Sequence, residues 1–151
     1  MPRGRAPIIA RRSRETAAWN EVATVLPVRV VLVEDSAIIR ERLIENVTVP
    51  GRIEVVGHAE GETAAIEMLH HGAWDVLVLD LQLREGSGFG VLRALRRDGR
   101  PAGARVIVLT SYAAPQYRAK SEQLGADYFF DKSRDHHRVL DVLEGIAGGL
   151  S

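Results

Sequence analysis

Four short apolar runs in this 151-residue chain end in side chains that can do chemistry. Glu34 and Asp35 follow the run 28–33, and Asp80 follows 75–79. Thr110 and Ser111 follow 105–109, and Asp131 and Lys132 follow 127–130. In an open parallel sheet, ligands bind beyond the carboxyl ends of the strands where strand order reverses, so these side chains would share one rim. Three carboxylates in one pocket raise each other's pKa unless a cation joins them. Hard oxygen ligands with room for water suit Mg²⁺. A divalent cation and an ammonium group together can neutralise a phosphoryl group, leaving one carboxylate free to attack phosphorus. The central and most hydrophobic run places Asp80 mid-pocket, so Asp80 is the expected nucleophile. Lys132 is expected to hold one phosphoryl oxygen and Thr110 to hydrogen-bond another. Taken singly, an acidic residue after a strand is more often a loop start or a helix cap. A lone lysine is more often solvated surface. Joint placement at the strand ends is what singles these residues out.

Such a rim needs elements to hold it. The β-branched run 28–33 reads as a buried strand. Ser36 then occupies an N-cap position before Ile38, Ile39, Arg40, Leu43 and Ile44 at helical spacing. Pro50-Gly51 marks a turn before a second strand over 53–59 and a helix over 61–71, with Ala64, Ala65, Met68 and Leu69 on one face. The third strand is 75–79, followed by a glycine-rich loop and a helix over 88–97. The fourth strand is 105–109 and its helix 113–124, with Pro115 tolerated in the first turn and Gly125 at the C-terminal end. A fifth strand over 127–130 and a last helix over 134–147 complete the pattern. Five strand–helix alternations imply an α/β fold with a parallel sheet, right-handed crossovers and helices on both faces.

The bulk composition bounds the rest. Apolar residues make up 46% and charged residues 26% of the chain, enough for one domain with a full core. Residues 28–147 form that domain, 1–27 a basic N-terminal extension and 148–151 a C-terminal tail. The extension holds five arginines against Glu15 and Glu21, and is expected to be disordered or weakly helical over 13–26. No output domain is expected after the fifth helix. The net charge is zero and no apolar stretch approaches a membrane span, so neither a membrane nor a nucleic-acid partner is expected. The absence of cysteine excludes disulfides and thiolate metal sites, and fits a cytoplasmic protein.

The motifs themselves resemble those of bacterial response-regulator receiver domains, the CheY-like family of two-component signalling. Val30-Val31-Leu32-Val33-Glu34-Asp35-Ser36 is similar to the family's opening, and residues 75–83 to its phosphoacceptor strand, with Gly88 matching a recurrent loop glycine. Residues 106–111 and 125–132 resemble its switch strand and lysine strand. The resemblance implies a flavodoxin-like (βα)5 sheet of order 2-1-3-4-5. It implies Mg²⁺ on Asp35, Asp80 and the backbone carbonyl of Gln82, with Glu34 reaching the ion through water. It also implies a switch pair, Thr110 and Phe129, which reshapes the face made by the fourth helix, fifth strand and fifth helix. A histidine kinase or histidine phosphotransfer protein would be the donor, and a downstream protein would read that face. Homodimerisation stays open.

Two positions depart from the family. Arg84 stands where a proline is common in the loop after the acceptor, and Ser133 where a proline usually follows the lysine through a cis bond. A cis bond before serine would cost about 3–4 kcal/mol, so a trans bond or a reshaped loop is expected. Phe129 also lacks a hydroxyl to anchor an inward ring. The adjacent pairs His70-His71 and His136-His137 point in different directions on a helix and suit no metal site. Trp74 reads as a packing residue. Gly86-Ser87-Gly88-Phe89-Gly90 lacks the spacing of a nucleotide loop. Two other functions compete with the phosphoacceptor: a receiver-like module that binds a protein without phosphorylation, and an aspartyl-phosphate phosphatase or phosphotransferase. The latter is weakened by Gln82, where such enzymes commonly place a second aspartate.

Overall fold

The computed structural model describes residues 26–149. The chain alternates β1 (Val28–Val33), α1 (Ala37–Val47), β2 (Ile53–Ala59), α2 (Glu62–His71), β3 (Val76–Leu79), α3 (Gly88–Asp98), β4 (Arg105–Thr110), α4 (Pro115–Gln123), β5 (Tyr128–Asp131) and α5 (Lys132–Ala147). The strands pair in parallel in the order β2-β1-β3-β4-β5, the order expected from the sequence. The strand direction of travel across the sheet reverses between β1 and β3, which opens a crevice beyond their carboxyl ends.

Alternation along each strand builds two cores. Val30, Leu32, Val78, Ile107, Leu109 and Phe130 pack with Leu43 and Val47 of α1 and Val139 and Leu143 of α5. Val31, Val33, Leu77, Leu79, Val108 and Phe129 face the other way, onto Leu69 of α2 and Val91, Leu92 and Leu95 of α3. Successive strand residues point to opposite faces, and both faces here are covered, so the strands read as unbroken apolar runs. Trp74 packs as expected, 1% exposed, its indole donating to the Leu69 carbonyl at 3.3 Å.

Several boundaries differ from the sequence expectation, each for a local reason. The buried face of α1 is Arg40, Leu43 and Val47, while Ile38 and Ile39 are exposed. Helix α4 starts at Pro115 because Ala114, restricted by the proline after it, is extended at ψ 150°. The last helix begins at Lys132, two residues before the expected start. There Asp131 acts as N-cap, its Oδ1 accepting from the Ser133 N–H at 2.8 Å and from the Ser133 hydroxyl at 2.7 Å. No cis peptide occurs among the described residues. Serine thus supplies an N–H that proline lacks, and the lysine strand runs straight into a capped helix. The expected helix over 13–26 lies, except for Leu26, outside the described residues.

These bonds hold the Asp131 carboxyl below the usual carboxylate range, the Ser133 hydroxyl first and its N–H second. A depressed folded pKa stabilises above the unfolded value and ceases to do so as pH falls through the folded one. Asp131→Ala should therefore melt below the wild type at pH 7, with the gap closing as pH drops below about 4. Thermal melts across that range check it.

Candidate functional site

The register of the sheet sets the acidic residues side by side. Val33 pairs with Leu79, and one residue further the Glu34 N–H donates to Ala59 and the Asp80 N–H to Val33, each at 3.0 Å. Glu34 and Asp80 therefore project from neighbouring strand ends, 2% and 6% exposed. Asp35 stands beside them at the start of the β1–α1 loop. One carboxylate oxygen from each of Glu34, Asp35 and Asp80 lies within 4.8 Å of the others. Across the crevice, β5 and the first turn of α5 present Lys132. Its ammonium lies 2.5 Å from Glu34 Oε1 and 2.8 Å from Asp80 Oδ2.

Burial and charge oppose each other here. Desolvation raises the Glu34 carboxyl above its ordinary value, and the hydrogen bond and charge of Lys132 only partly offset that. Burial alone would lower Lys132, yet its bonds to Asp80 and Glu34 outweigh burial and hold its pKa above that of free lysine. The lysine is thus fully protonated at neutral pH. The site is a cleft of about 410 Å³, walled by Glu34, Asp35, Asp80, Gln82, Arg84 and Lys132, with Ser111 and Tyr112 on its edge. Three hard oxygen donors converging on an open, water-accessible cleft fit an octahedral divalent ion such as Mg²⁺.

The acceptor loop is held by close contacts. Gly88 lies under Asp80: a Cβ there would collide with the Asp80 carbonyl oxygen and come within 2.8 Å of the Leu81 Cα. Gly88→Ala must push the end of β3 aside, costing about 1–3 kcal/mol as overpacking does. Denaturant melts should show that loss together with weakened Mg²⁺ binding. Beyond it, Glu62 Oε1 accepts from the Ser87 N–H at 2.9 Å, while the Glu85 carboxylate accepts from the Thr63 N–H and hydroxyl at 3.1 Å each. This reciprocal clasp stiffens a loop that has no proline at position 84.

Of the residues singled out from the sequence, Glu34, Asp35, Asp80 and Lys132 come together, and Gln82 lines the same cleft with its N–H donating to Asp80 Oδ1 at 3.1 Å. Thr110 is fully buried behind the cleft, its hydroxyl accepting from the Tyr112 N–H at 3.2 Å. Phe129 lies in the core, 4% exposed, with the Arg118 guanidinium carbon 4.8 Å from its ring centroid. Sequence reasoning missed Arg40, which is 8% exposed and donates to the Glu34 carbonyl at 2.9 Å while pairing with Glu60 at 3.3 Å. The signal was an arginine on the apolar stripe of α1. The histidine pairs are exposed, as expected. Among the described residues no helix is long and apolar enough to cross a membrane.

Comparison with known proteins gives a consistent picture. A family model described as the response regulator receiver domain matches residues 30–144. The nitrate/nitrite response regulator protein NarP of Escherichia coli is 31% identical over 123 residues, covering 82% of this chain and 56% of the relative. A protein-glutamate methylesterase/protein-glutamine glutaminase of Saccharophagus degradans is 34% identical over 110 residues, covering 73% of this chain and 31% of the relative. The chain therefore spans from just under a third to just over half of these relatives' lengths. The solved receiver domain of the putative response regulator NarL from Mycobacterium tuberculosis superimposes with a TM-score of 0.72 at 27% identity, over 82% of this chain and 98% of that one.

Proposed function

The chain belongs to the response regulator receiver domain family, and on that footing we propose that Asp80 accepts a phosphoryl group from the phosphohistidine of a kinase or phosphotransfer protein. The observation that carries this reading is Lys132 within 2.8 Å of Asp80 in a cleft that also gathers Glu34 and Asp35. In the proposed reaction an Asp80 oxygen bonds to phosphorus while the donor's P–N bond breaks, its electron pair leaving with the imidazole. Lys132 holds a phosphoryl oxygen, and the Gln82 backbone stays tied to Asp80. Asp35, Asp80 and the Gln82 carbonyl would hold Mg²⁺, with Glu34 reaching it through water, and the ion when bound supplies charge neutralisation to the phosphoryl oxygens. Thr110 would then move toward the new anion and Phe129 adjust beside it. The fourth-helix, fifth-strand and fifth-helix face, here α4, β5 and α5, would carry the signal to a protein partner in the cytoplasm. We read the domain as acting through such contacts rather than as an enzyme.

A second reading, constitutive protein binding without phosphorylation, is favoured by one observation: Phe129 is already inward. Phosphotransfer separates the two. A phosphorylated histidine donor should label this protein with a hydroxylamine-labile acyl phosphate under the first reading, and leave it unlabelled under the second.

A further inference from the structure

Among the residues lining the cleft, Arg84 carries the only guanidinium and Lys132 the only ammonium. Lys132 is already shared between Glu34 and Asp80. Arg84, beside three carboxylates, forms no ion pair among the described residues. Its Nη2 instead lies 3.5 Å from the Asp35 carbonyl oxygen, so the side chain spans the mouth of the cleft from the β3–α3 loop to the β1–α1 loop. The backbone beneath it is fixed on both sides, by Gln82 on Asp80 and by the Glu62–Ser87 and Glu85–Thr63 bonds. A positive charge is thus held over the cleft and left unspent.

The charge balance says what it is for. With the Lys132 ammonium paired to Glu34 and Asp80 and one divalent cation bound, the charges of Glu34, Asp35 and Asp80 are matched. Converting the Asp80 carboxylate to a doubly charged acyl phosphate adds one negative charge that those cations do not offset. We propose that Arg84 is an anion-recognition residue of this site, drawing in the phosphoryl group of the donor and matching the extra charge of the acyl phosphate. A proline at this position could supply neither the charge nor the hydrogen-bond donors. Arg84 gives and takes no proton: the Asp80 oxygen gains the bond to phosphorus, and the donor's leaving group departs with its electron pair. The inference rests on Asp80 being the acceptor.

The test uses wild type, Arg84→Gln and Arg84→Lys, with acetyl phosphate and Mg²⁺ followed by intact mass. Beryllofluoride affinity, read by fluorine NMR, serves as a binding measure independent of turnover. Arg84 is exposed, so neither substitution disturbs the core. Arg84→Gln should slow phosphoryl uptake and weaken beryllofluoride binding about fivefold, as loss of one charge at a solvated site implies. Arg84→Lys should recover most of both. The gap between wild type and Arg84→Gln should shrink as salt rises from about 0.05 M to about 0.5 M, because the Debye length falls severalfold. Equal uptake and affinity in wild type and Arg84→Gln overturn the inference alone. So does a deficit that neither lysine rescues nor salt diminishes, because that marks a loop-shape effect. A wild type that takes up neither phosphoryl group nor beryllofluoride overturns the acceptor reading and this inference together.

Discussion

Lys132→Ala is expected to slow phosphoryl uptake about a hundredfold, the scale of losing one preorganised charge on a developing anion. The ammonium lies 2.8 Å from the proposed nucleophile and 2.5 Å from Glu34, with only 14% of the side chain exposed. Its removal has a second consequence. Glu34 and Asp80 are left as neighbouring carboxylates with 3% and 7% of their side chains exposed, and without a counter-charge. Breaking a buried pair by removing one partner costs about 3–5 kcal/mol, and the open side of the cleft brings that to about 2 kcal/mol here. The pH dependence gives the sign. Glu34, already raised by burial, rises further without Lys132, and a raised carboxyl favours the fold as pH falls. The stability deficit of Lys132→Ala should therefore narrow from pH 8 toward pH 5, as denaturant melts would show. Lysine itself stabilises the wild type until pH rises through its own elevated pKa, so that the wild type should hold its pairing throughout this window. Mg²⁺ binding should survive the substitution, because all three oxygen donors remain.

Withdrawing Mg²⁺ is expected to have the other large effect. Three carboxylate oxygens within 4.8 Å of one another repel unless a cation joins them. A ligand at a hundred times its Kd adds about 2.7 kcal/mol to the folded state, or roughly 10 °C in melting temperature for a domain of this size. The wild type should gain that increment with saturating Mg²⁺ and lose it on chelation, and Asp35→Ala should show little of it. Uptake from acetyl phosphate should fall by at least about a hundredfold under chelation, since neutralising phosphoryl oxygens contributes several kcal/mol. Melting curves and uptake with and without chelator check both arms. A wild type whose melting temperature ignores Mg²⁺ would remove the ion from the account.

The strands and the cleft were legible because their signals are local. Period and β-branching mark β1 and β2 at their observed bounds, and Glu34, Asp35, Asp80 and Lys132 each lie within two residues after an apolar run. Parallel order then brings strand ends together whatever lies between them. Other features depend on contacts distant in sequence. Arg84 and Asp35 are separated by 49 positions, and no periodicity announces that one crosses the cleft to the other. Arg40 reads as one more member of a helical stripe until Glu34 and Glu60 are seen against it. The exposed Ile38 and Ile39 follow from the same packing, which turns Arg40, Leu43 and Val47 inward. The start of α5 differs from the sequence expectation because Asp131 reads equally as a rim carboxylate and as a cap. The structure uses it as the cap of α5, and its bonds to Ser133 decide the matter.

The most direct test of the account is intact mass after incubation with Mg²⁺ and acetyl phosphate, with wild type and Asp80→Asn side by side. Asparagine keeps the size of the side chain and removes the nucleophilic charge, and Lys132 retains Glu34 as a partner, so the fold should persist. The account predicts a gain of one phosphoryl group in the wild type and none in Asp80→Asn. An equal gain in both proteins, or no gain in a folded wild type that binds Mg²⁺, would contradict it.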